Sequence, residues 1–235
     1  MEFNCKEFSL NHTSSSMKVG TDAILLSSLA PRNAKKRILE VGTGCGIISL
    51  SMAQFNQEAK ITAIDVDEES IQQAQDNFLK SKWSERLIAE HISLQDFAQK
   101  PENHKQYDFI ISNPPYFVNS LQANTRKRTF ARHTDKLPFK DFVDSSLQLL
   151  TPDAKICIIL PALQSDELTT LFKEREVKIE TQINIYSKPT KPVERIIRVY
   201  SLEQNKETEI KNVFIREENG EYTTQYKDIV SEILL

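Results

Sequence analysis

Five consecutive residues, Ser112-Asn113-Pro114-Pro115-Tyr116, carry the strongest chemical signal in the chain. They follow the apolar run Tyr107-Asp108-Phe109-Ile110-Ile111, so they sit where a buried strand gives out into a loop. Two consecutive prolines lack a backbone N–H and hold φ near about −65°, which ends the sheet and fixes the direction of the neighbouring carbonyls. Asn113 adds a side-chain carbonyl, and Tyr116 adds a flat aromatic face with a polar tip. This set suits a planar group bearing an N–H2. The side-chain oxygen of Asn113 and the main-chain oxygen of Pro114 each accept one N–H, and the ring of Tyr116 stacks against the plane. The same residues would also serve as a plain turn after a strand, so the motif needs a partner.

Such a partner lies upstream. Arg37-Ile38-Leu39-Glu40-Val41 runs into Gly42-Thr43-Gly44-Cys45-Gly46, and residues 47–54 read as a helix. Strand, glycine turn and helix open a nucleotide-binding βαβ unit. The Gly-x-Gly-x-Gly spacing differs from the Gly-x-Gly-x-x-Gly of dinucleotide sites, which set a pyrophosphate on the helix N-terminus. Here the glycines let the backbone approach a ligand without phosphates. Glu40 would repel a pyrophosphate but could pair with a cation. S-adenosylmethionine, with a sulfonium, an α-ammonium and no phosphate, fits both requirements. A second strand over residues 60–64 ends in Asp65-Val66-Asp67. Asp65, roughly 20 residues beyond the glycine turn, is placed to take both ribose hydroxyls. Asp67 and the following glutamates cap and start a helix over residues 69–80.

The remaining elements must hold these two turns side by side. Thr21 or Asp22 serves as N-cap for a first helix that runs to about Leu29 and stops at Ala30-Pro31. A weak third strand over residues 87–91 leads into a loop over residues 92–97, which borders the crevice and could hold an adenine. Gln95 and Asp96 in that loop serve equally well as solvated residues. Further on, helices are expected over residues 141–150 and 166–176 and a buried strand over 155–160. Strands over 179–186 and 195–201 read as an antiparallel pair at the edge of the sheet. A short strand at Phe214-Ile215-Arg216, a turn at Asn219-Gly220 and a terminal helix over 222–235 complete the chain.

Composition narrows the class. The 235 residues are 39% hydrophobic and 27% charged, which reads as a globular, cytoplasmic protein with no membrane span and no leader. Cys5, Cys45 and Cys157 are odd in number and scattered, so neither a disulfide framework nor a metal site is expected. A net charge of −3 argues against a protein that coats nucleic acid through bulk charge and leaves room for a local basic face. The most basic local stretch, residues 117–136, holds Arg126-Lys127-Arg128, Arg132 and His133 beside Tyr116 and Phe130. A basic, aromatic loop next to a cleft is what single-stranded nucleic acid needs, although a solvated charged loop has the same composition.

Glu40-Val41-Gly42-Thr43-Gly44-Cys45-Gly46 followed by Asn113-Pro114-Pro115-Tyr116 resembles the S-adenosylmethionine-dependent methyltransferases that act on planar nitrogen. Phe8-Ser9-Leu10-Asn11-His12 and Met17-Lys18-Val19-Gly20-Thr21-Asp22 narrow the likeness to the bacterial tRNA(Val) adenine-37 N6-methyltransferase family, as do Ala131-Arg132-His133-Thr134 and Pro192-x-x-Arg195. The resemblance implies an α/β, Rossmann-like fold: a mostly parallel seven-stranded sheet with one antiparallel strand and helices on both faces. It implies one domain over residues 1–235, with residues 1–30 closing over the cofactor site. Lys18, Gly20, Thr21, Asp22, Glu40, Gly42, Gly44, Asp65, Val66, Ser93, Leu94 and Asn113 would bind S-adenosylmethionine. Asn113, Pro114 and Tyr116 would hold the target base, and Arg126, Arg128, Arg132, His133, Lys188 and Arg195 would contact the tRNA. Relatives place an acidic residue where this chain has Ser93, so the adenine contact could pass to the Leu94 backbone or to Asp96. The implied enzyme is a monomer that methylates the N6 of adenine-37 in an anticodon loop. Its rivals are a protein-glutamine N-methyltransferase, which shares Asn-Pro-Pro-Tyr, a DNA adenine methyltransferase, and a non-catalytic RNA-binding module.

Overall fold

The computed structural model describes residues 2–13, 18–32, 36–114, 137–203 and 207–235. A small antiparallel hairpin, β1 (Glu2–Asn4) and β2 (Ser9–Asn11), precedes helix α1 (Thr21–Leu29). Three βα units follow: β3 (Arg37–Val41) with α2 (Ile47–Phe55), β4 (Lys60–Asp65) with α3 (Glu68–Lys80), and β5 (Leu87–His91) with α4 (Leu94–Gln99). Then come β6 (Tyr107–Ser112), α5 (Phe139–Leu149), β7 (Leu150–Leu160), α6 (Ala162–Lys173), β8 (Lys178–Tyr186), β9 (Val193–Ser201), β10 (Glu209–Phe214) and α7 (Thr224–Val230).

The strands from β3 onward form one sheet in the order β10-β8-β9-β7-β6-β3-β4-β5. All neighbours pair in parallel except β9, which runs antiparallel to both β7 and β8. Among the described residues the sheet therefore has one antiparallel strand, as expected, but eight strands rather than seven. The extra strand displaces the β8–β9 pair from the edge: β10 covers β8 in parallel register, Glu209 opposite Thr181 through Phe214 opposite Tyr186. Its first four residues, Glu209-Ile210-Lys211-Asn212, are exposed and mostly polar, which suits an edge strand and hides it from a search for apolar alternation.

Strand residues alternate between two cores because successive side chains point to opposite faces. Ile38, Phe109, Ile111, Cys157 and Ile159 pack on the side of α1, α2, α3 and α7. Leu39, Ile110, Ile156, Ile158 and Leu160 pack on the side of α4, α5 and α6. This double burial explains the near-continuous apolar runs of β6 and β7.

Several local expectations change. The N-cap of α1 is Gly20, because the Asp22 carboxylate is taken by the Nε of Arg195 on β9 at 3.0 Å. Residues 94–99 are helical rather than a loop. The Ser93 hydroxyl accepts the N–H of Asp96 at 3.0 Å and donates to its carboxylate at 2.6 Å, a reciprocal cap that starts α4. Six residues are too few for the helical period to show. The terminal helix is also shorter than expected, since Tyr222 bridges Arg216 in a hairpin and only Thr224–Val230 is helical.

Candidate active site

The carboxyl ends of β3, β4 and β6 lie side by side, and the turns that leave them enclose a cleft. One wall is Gly42, Thr43, Gly44 and Cys45; a second is Asp65, Val66 and Asp67; a third is Ser112, Asn113 and Pro114. Lys18, Val19 and Ala23 approach from the N-terminal segment, and Ile92, Leu94, Gln95 and Leu137 close the far side.

Each wall is braced from behind. Gly42 and Thr43 donate their N–H groups to the Ile64 carbonyl at 2.9 and 3.1 Å, which pins the glycine turn to β4. Gly44 then donates to Asp65 Oδ2 at 2.9 Å, and Asp67 donates to Oδ1 at 3.0 Å. Each Asp65 oxygen thus holds one backbone N–H and keeps a lone pair for a ligand hydroxyl. Burial pushes the Asp65 carboxyl above its ordinary range, while the N–H groups of Gly44 and Asp67 pull it back. The Ser112 hydroxyl donates to the Val41 carbonyl at 2.7 Å, locking the end of β6 beside the end of β3.

Glu40 stands behind the turn and is not among the residues that line the cleft. It is fully buried, and its Oε2 accepts from the Thr43 hydroxyl at 2.8 Å, the Ser49 N–H at 2.9 Å and the Ser49 hydroxyl. Its Oε1 has no partner among the described residues. Burial pushes the carboxyl up to about 7 against the opposing pull of the Ser49 and Thr43 hydrogen bonds.

Of the positions singled out in the sequence, the cleft gathers Lys18, Gly42, Gly44, Asp65, Val66, Leu94, Asn113 and Pro114. Gly20, Thr21 and Asp22 form the start of α1 next to Lys18 and Val19 without lining it. Ser93 is the cap of α4, and Asp96 is bound to Ser93, so neither lines the cleft. Lys188 and Arg195 sit at the same end of the sheet but outside it. Lys188 donates to the Glu218 carbonyl at 3.1 Å, and Arg195 holds Asp22. Tyr116, Arg126, Arg128, Arg132 and His133 lie outside the described residues.

Sequence reasoning missed two brackets. The Nδ1 of buried His12 accepts the Val19 N–H at 3.2 Å and anchors the segment at the cleft mouth. Burial holds His12 below its ordinary value, in the neutral form that can accept. Asn77 on α3 donates to the Cys45 carbonyl and the Asn11 carbonyl, both at 2.8 Å, and accepts the Asn11 N–H at 2.9 Å. One buried amide thereby ties the hairpin to the glycine turn. Neither bracket had a signal beyond residue type, because its partners are remote in sequence or unremarkable main chain.

The cleft fits a nucleoside ligand lacking phosphates. Gly42 and Gly44 have φ of +77° and +55°, and a Cβ built on either meets nothing within 4 Å, so a ligand can lie directly on the main chain. The charged residues on the walls are Lys18, Asp65 and Asp67, and two of the three are acidic. Among the described residues no cluster of His, Cys, Asp and Glu could hold a metal, and no helix is long and apolar enough to cross a membrane.

Comparison with known proteins agrees with this geometry. The methyltransferase small domain family matches residues 12–185. A tRNA1(Val) (adenine(37)-N6)-methyltransferase of Flavobacterium johnsoniae is 33% identical over 99% of both chains. Its counterpart from Yersinia enterocolitica is 35% identical over 99% of this chain and 92% of the relative. Among solved structures, a predicted O-methyltransferase of Agrobacterium tumefaciens superposes with a TM-score of 0.67, at 15% identity over 92% of this chain and 98% of that one. TYW2 of P. horikoshii, solved in complex with MeSAdo, gives 0.55 at 15% identity over 81% of this chain and 66% of that one. These two likenesses establish the Rossmann-like methyltransferase fold, and the near full-length relatives go further: the chain belongs to the tRNA1(Val) (adenine(37)-N6)-methyltransferase family.

Proposed function

We propose that this protein transfers a methyl group from S-adenosylmethionine to the exocyclic N6 of adenine-37 in the anticodon loop of tRNA(Val). The observation that carries the reading is the meeting of two turns in one cleft. Gly42, Gly44 and Asp65 form one side, and Asn113 and Pro114 form the other. Family membership over nearly the whole chain supplies the substrate class.

In this reading Gly42, Gly44 and Lys18 hold the methionine part of the cofactor, Asp65 takes the ribose hydroxyls, and Val66 and Leu94 flank the base. Glu40 acts by holding the glycine turn in shape. Once bound, S-adenosylmethionine supplies a methyl group on a sulfonium, a leaving group that needs no further activation. The Asn113 side-chain oxygen and the Pro114 carbonyl each accept one N–H of the substrate amine, which orients the nitrogen toward the cleft. Both acceptors also stabilise the positive charge that develops on that nitrogen. Tyr116 stacks on the target base, which must leave its stack, a smaller cost in a loop than in a duplex. Arg126, Arg128, Arg132, His133, Lys188 and Arg195 provide the tRNA contacts, and residues 1–30 close over the cofactor within a single domain.

The direct test is transfer of labelled methyl to bulk tRNA from cells lacking this protein, followed by nucleoside analysis. The expected result is N6-methyladenosine confined to tRNA(Val). Label on protein with none on RNA would overturn the substrate, and cofactor binding without any transfer would overturn the enzyme.

A further inference from the structure

Lys18 and Val19 line the cleft, yet together with Gly20 they lie outside any helix or strand, so no ladder within an element holds them. A side chain does. Buried His12, which does not line the cleft, takes the Val19 N–H on its Nδ1 at 3.2 Å. The ring is itself fixed from α3. Its neighbour Asn11 gives its N–H to Asn77 Oδ1 at 2.9 Å and accepts from Asn77 Nδ2 at 2.8 Å, and the Phe3 ring lies 6.0 Å from the imidazole, centroid to centroid. The same Asn77 amide holds the Cys45 carbonyl of the glycine turn at 2.8 Å. One helix thus sets both the anchor of the cleft mouth and the turn beneath the ligand.

The anchor works in one protonation state. A neutral imidazole can accept at one ring nitrogen, whereas a protonated one donates at both and has no acceptor left. Burial, and after it the chain's N-terminal ammonium and Lys18, all disfavour a proton on His12. The hairpin that ends at His12 carries the exposed Glu2 and the Cys5 thiol, which burial pushes up to about 12, and α3 faces it through the uncharged Asn77.

We propose that His12 is a positioning residue for cofactor binding: its Nδ1 holds the Val19 N–H, and Lys18 with it, at the cleft mouth, and a proton taken up there releases the segment and weakens the cofactor. The inference rests on the cofactor reading above and assigns an acid limb of binding to one side chain outside the cleft. Asp65 and Glu40 are also held above their ordinary values, but they are common to the native protein and to every variant at position 12. The difference between native and variant profiles therefore isolates His12. Substitution can also separate the acceptor from the ring. Asn carries its oxygen on Cγ, where His carries Nδ1, and it takes up no proton in this range; Gln carries its oxygen one atom further out.

The test is calorimetric binding of S-adenosylhomocysteine to the full chain at about pH 8 and about pH 5, for the native protein, His12→Asn, His12→Gln and His12→Ala, with thermal melting as a check on folding. At the higher pH, His12→Ala and His12→Gln should bind about three- to tenfold more weakly than the native protein, and His12→Asn within about twofold of it. At the lower pH, below the ordinary histidine value of 6.5, native affinity relative to His12→Asn should fall at least about threefold. The comparison of His12→Asn with His12→Gln decides the matter even where His12→Ala fails to fold. Equal affinity of native and His12→Ala, equal affinity of the Asn and Gln variants, or a native-to-Asn ratio that holds across pH would overturn the inference and leave the cofactor reading standing. Failure of the native protein to bind S-adenosylhomocysteine at either pH would overturn the cofactor reading, and the inference with it.

Discussion

The three glycines of Gly42-Thr43-Gly44-Cys45-Gly46 look equivalent in sequence, yet their surroundings predict opposite phenotypes for the same substitution. At Gly46, φ is +85° and a Cβ would stand 2.5 Å from Cε1 and 3.0 Å from Cζ of Phe78, a ring only 2% exposed. Gly46→Ala adds about 1–2 kcal/mol of left-handed backbone strain to about 1–3 kcal/mol of overpacking against a ring with no room to retreat. The sum of about 2–5 kcal/mol, at about 2–4 °C per kcal/mol for a chain of this size, lowers the melting temperature by roughly 10 °C. At Gly44 the strain is similar but the methyl meets nothing within 4 Å and projects into the cleft. Gly44→Ala should therefore cost only about 1–2 kcal/mol of stability and reduce cofactor affinity at least about tenfold. Melting with and without S-adenosylhomocysteine reads both effects. A ligand at about 100 times its Kd stabilises by about 2.7 kcal/mol. That upward shift should persist in Gly46→Ala on a lowered baseline and fall to about 1.4 kcal/mol or less at the same ligand concentration in Gly44→Ala. If Gly44→Ala melted as low as Gly46→Ala and still bound ligand normally, the division of the turn into a packed end and a ligand-facing end would be wrong.

Asn113→Ala should cut methyl transfer by about a hundredfold or more, as removal of a transition-state contact does, while the Kd for S-adenosylhomocysteine holds; parallel loss of both would remove the assigned role. Glu40→Gln tests the buried carboxylate. Its folded value of about 7 lies above the ordinary 4.5, so its contribution to stability is full below pH 4.5, is lost as pH rises toward 7, and then stays lost. The melting temperature of Glu40→Gln relative to the native protein should therefore rise between pH 5 and pH 8, with a ceiling of about 3 kcal/mol. A pH-independent difference would show that Glu40 does not titrate in this range. Asn77→Leu removes a donor to two carbonyls and an acceptor of one N–H, so chemical denaturation should report a loss of about 2–4 kcal/mol. Cofactor affinity should fall with it because the Cys45 carbonyl is released.

Periodicity and turn chemistry were enough to place most of the sheet and both reactive turns. Arg37–Val41, Lys60–Asp65, Leu87–His91 and Tyr107–Ser112 stand where the apolar runs put them, give or take a residue; β3 and β6 are buried on both faces and admit little else, whereas β5 at the sheet edge leaves Ile88 exposed. Asp67 caps α3 through the Ser70 N–H, as its type and place before two glutamates foretold. The strand expected at Phe214-Ile215-Arg216 meets β10 (Glu209–Phe214) only at Phe214, so the polar body of β10 was not legible, and neither was the six-residue α4. The first owes its existence to pairing with β8, and the second to a reciprocal cap that outweighs its shortness.

Residue type and spacing by themselves determined the chemistry on offer: main chain open to a ligand at Gly42 and Gly44, a carboxylate at Asp65, and paired acceptors at Asn113 and Pro114. Assembly was beyond them. Glu40 and Asp65 are both acids at strand ends, yet one is fully buried behind the turn and the other lines the cleft. Ser93 and Gln95 are both polar neighbours of Leu94, yet only Gln95 lines the cleft. Asp22 has the right type and place for a helix cap and is instead bound to Arg195, 173 residues away. The deciding factor is the pleat of a strand for Glu40 and Asp65, the cap of a short helix for Ser93, and a partner from a remote part of the fold for Asp22. The direction of a side chain is a property of packing, which local sequence pattern does not contain.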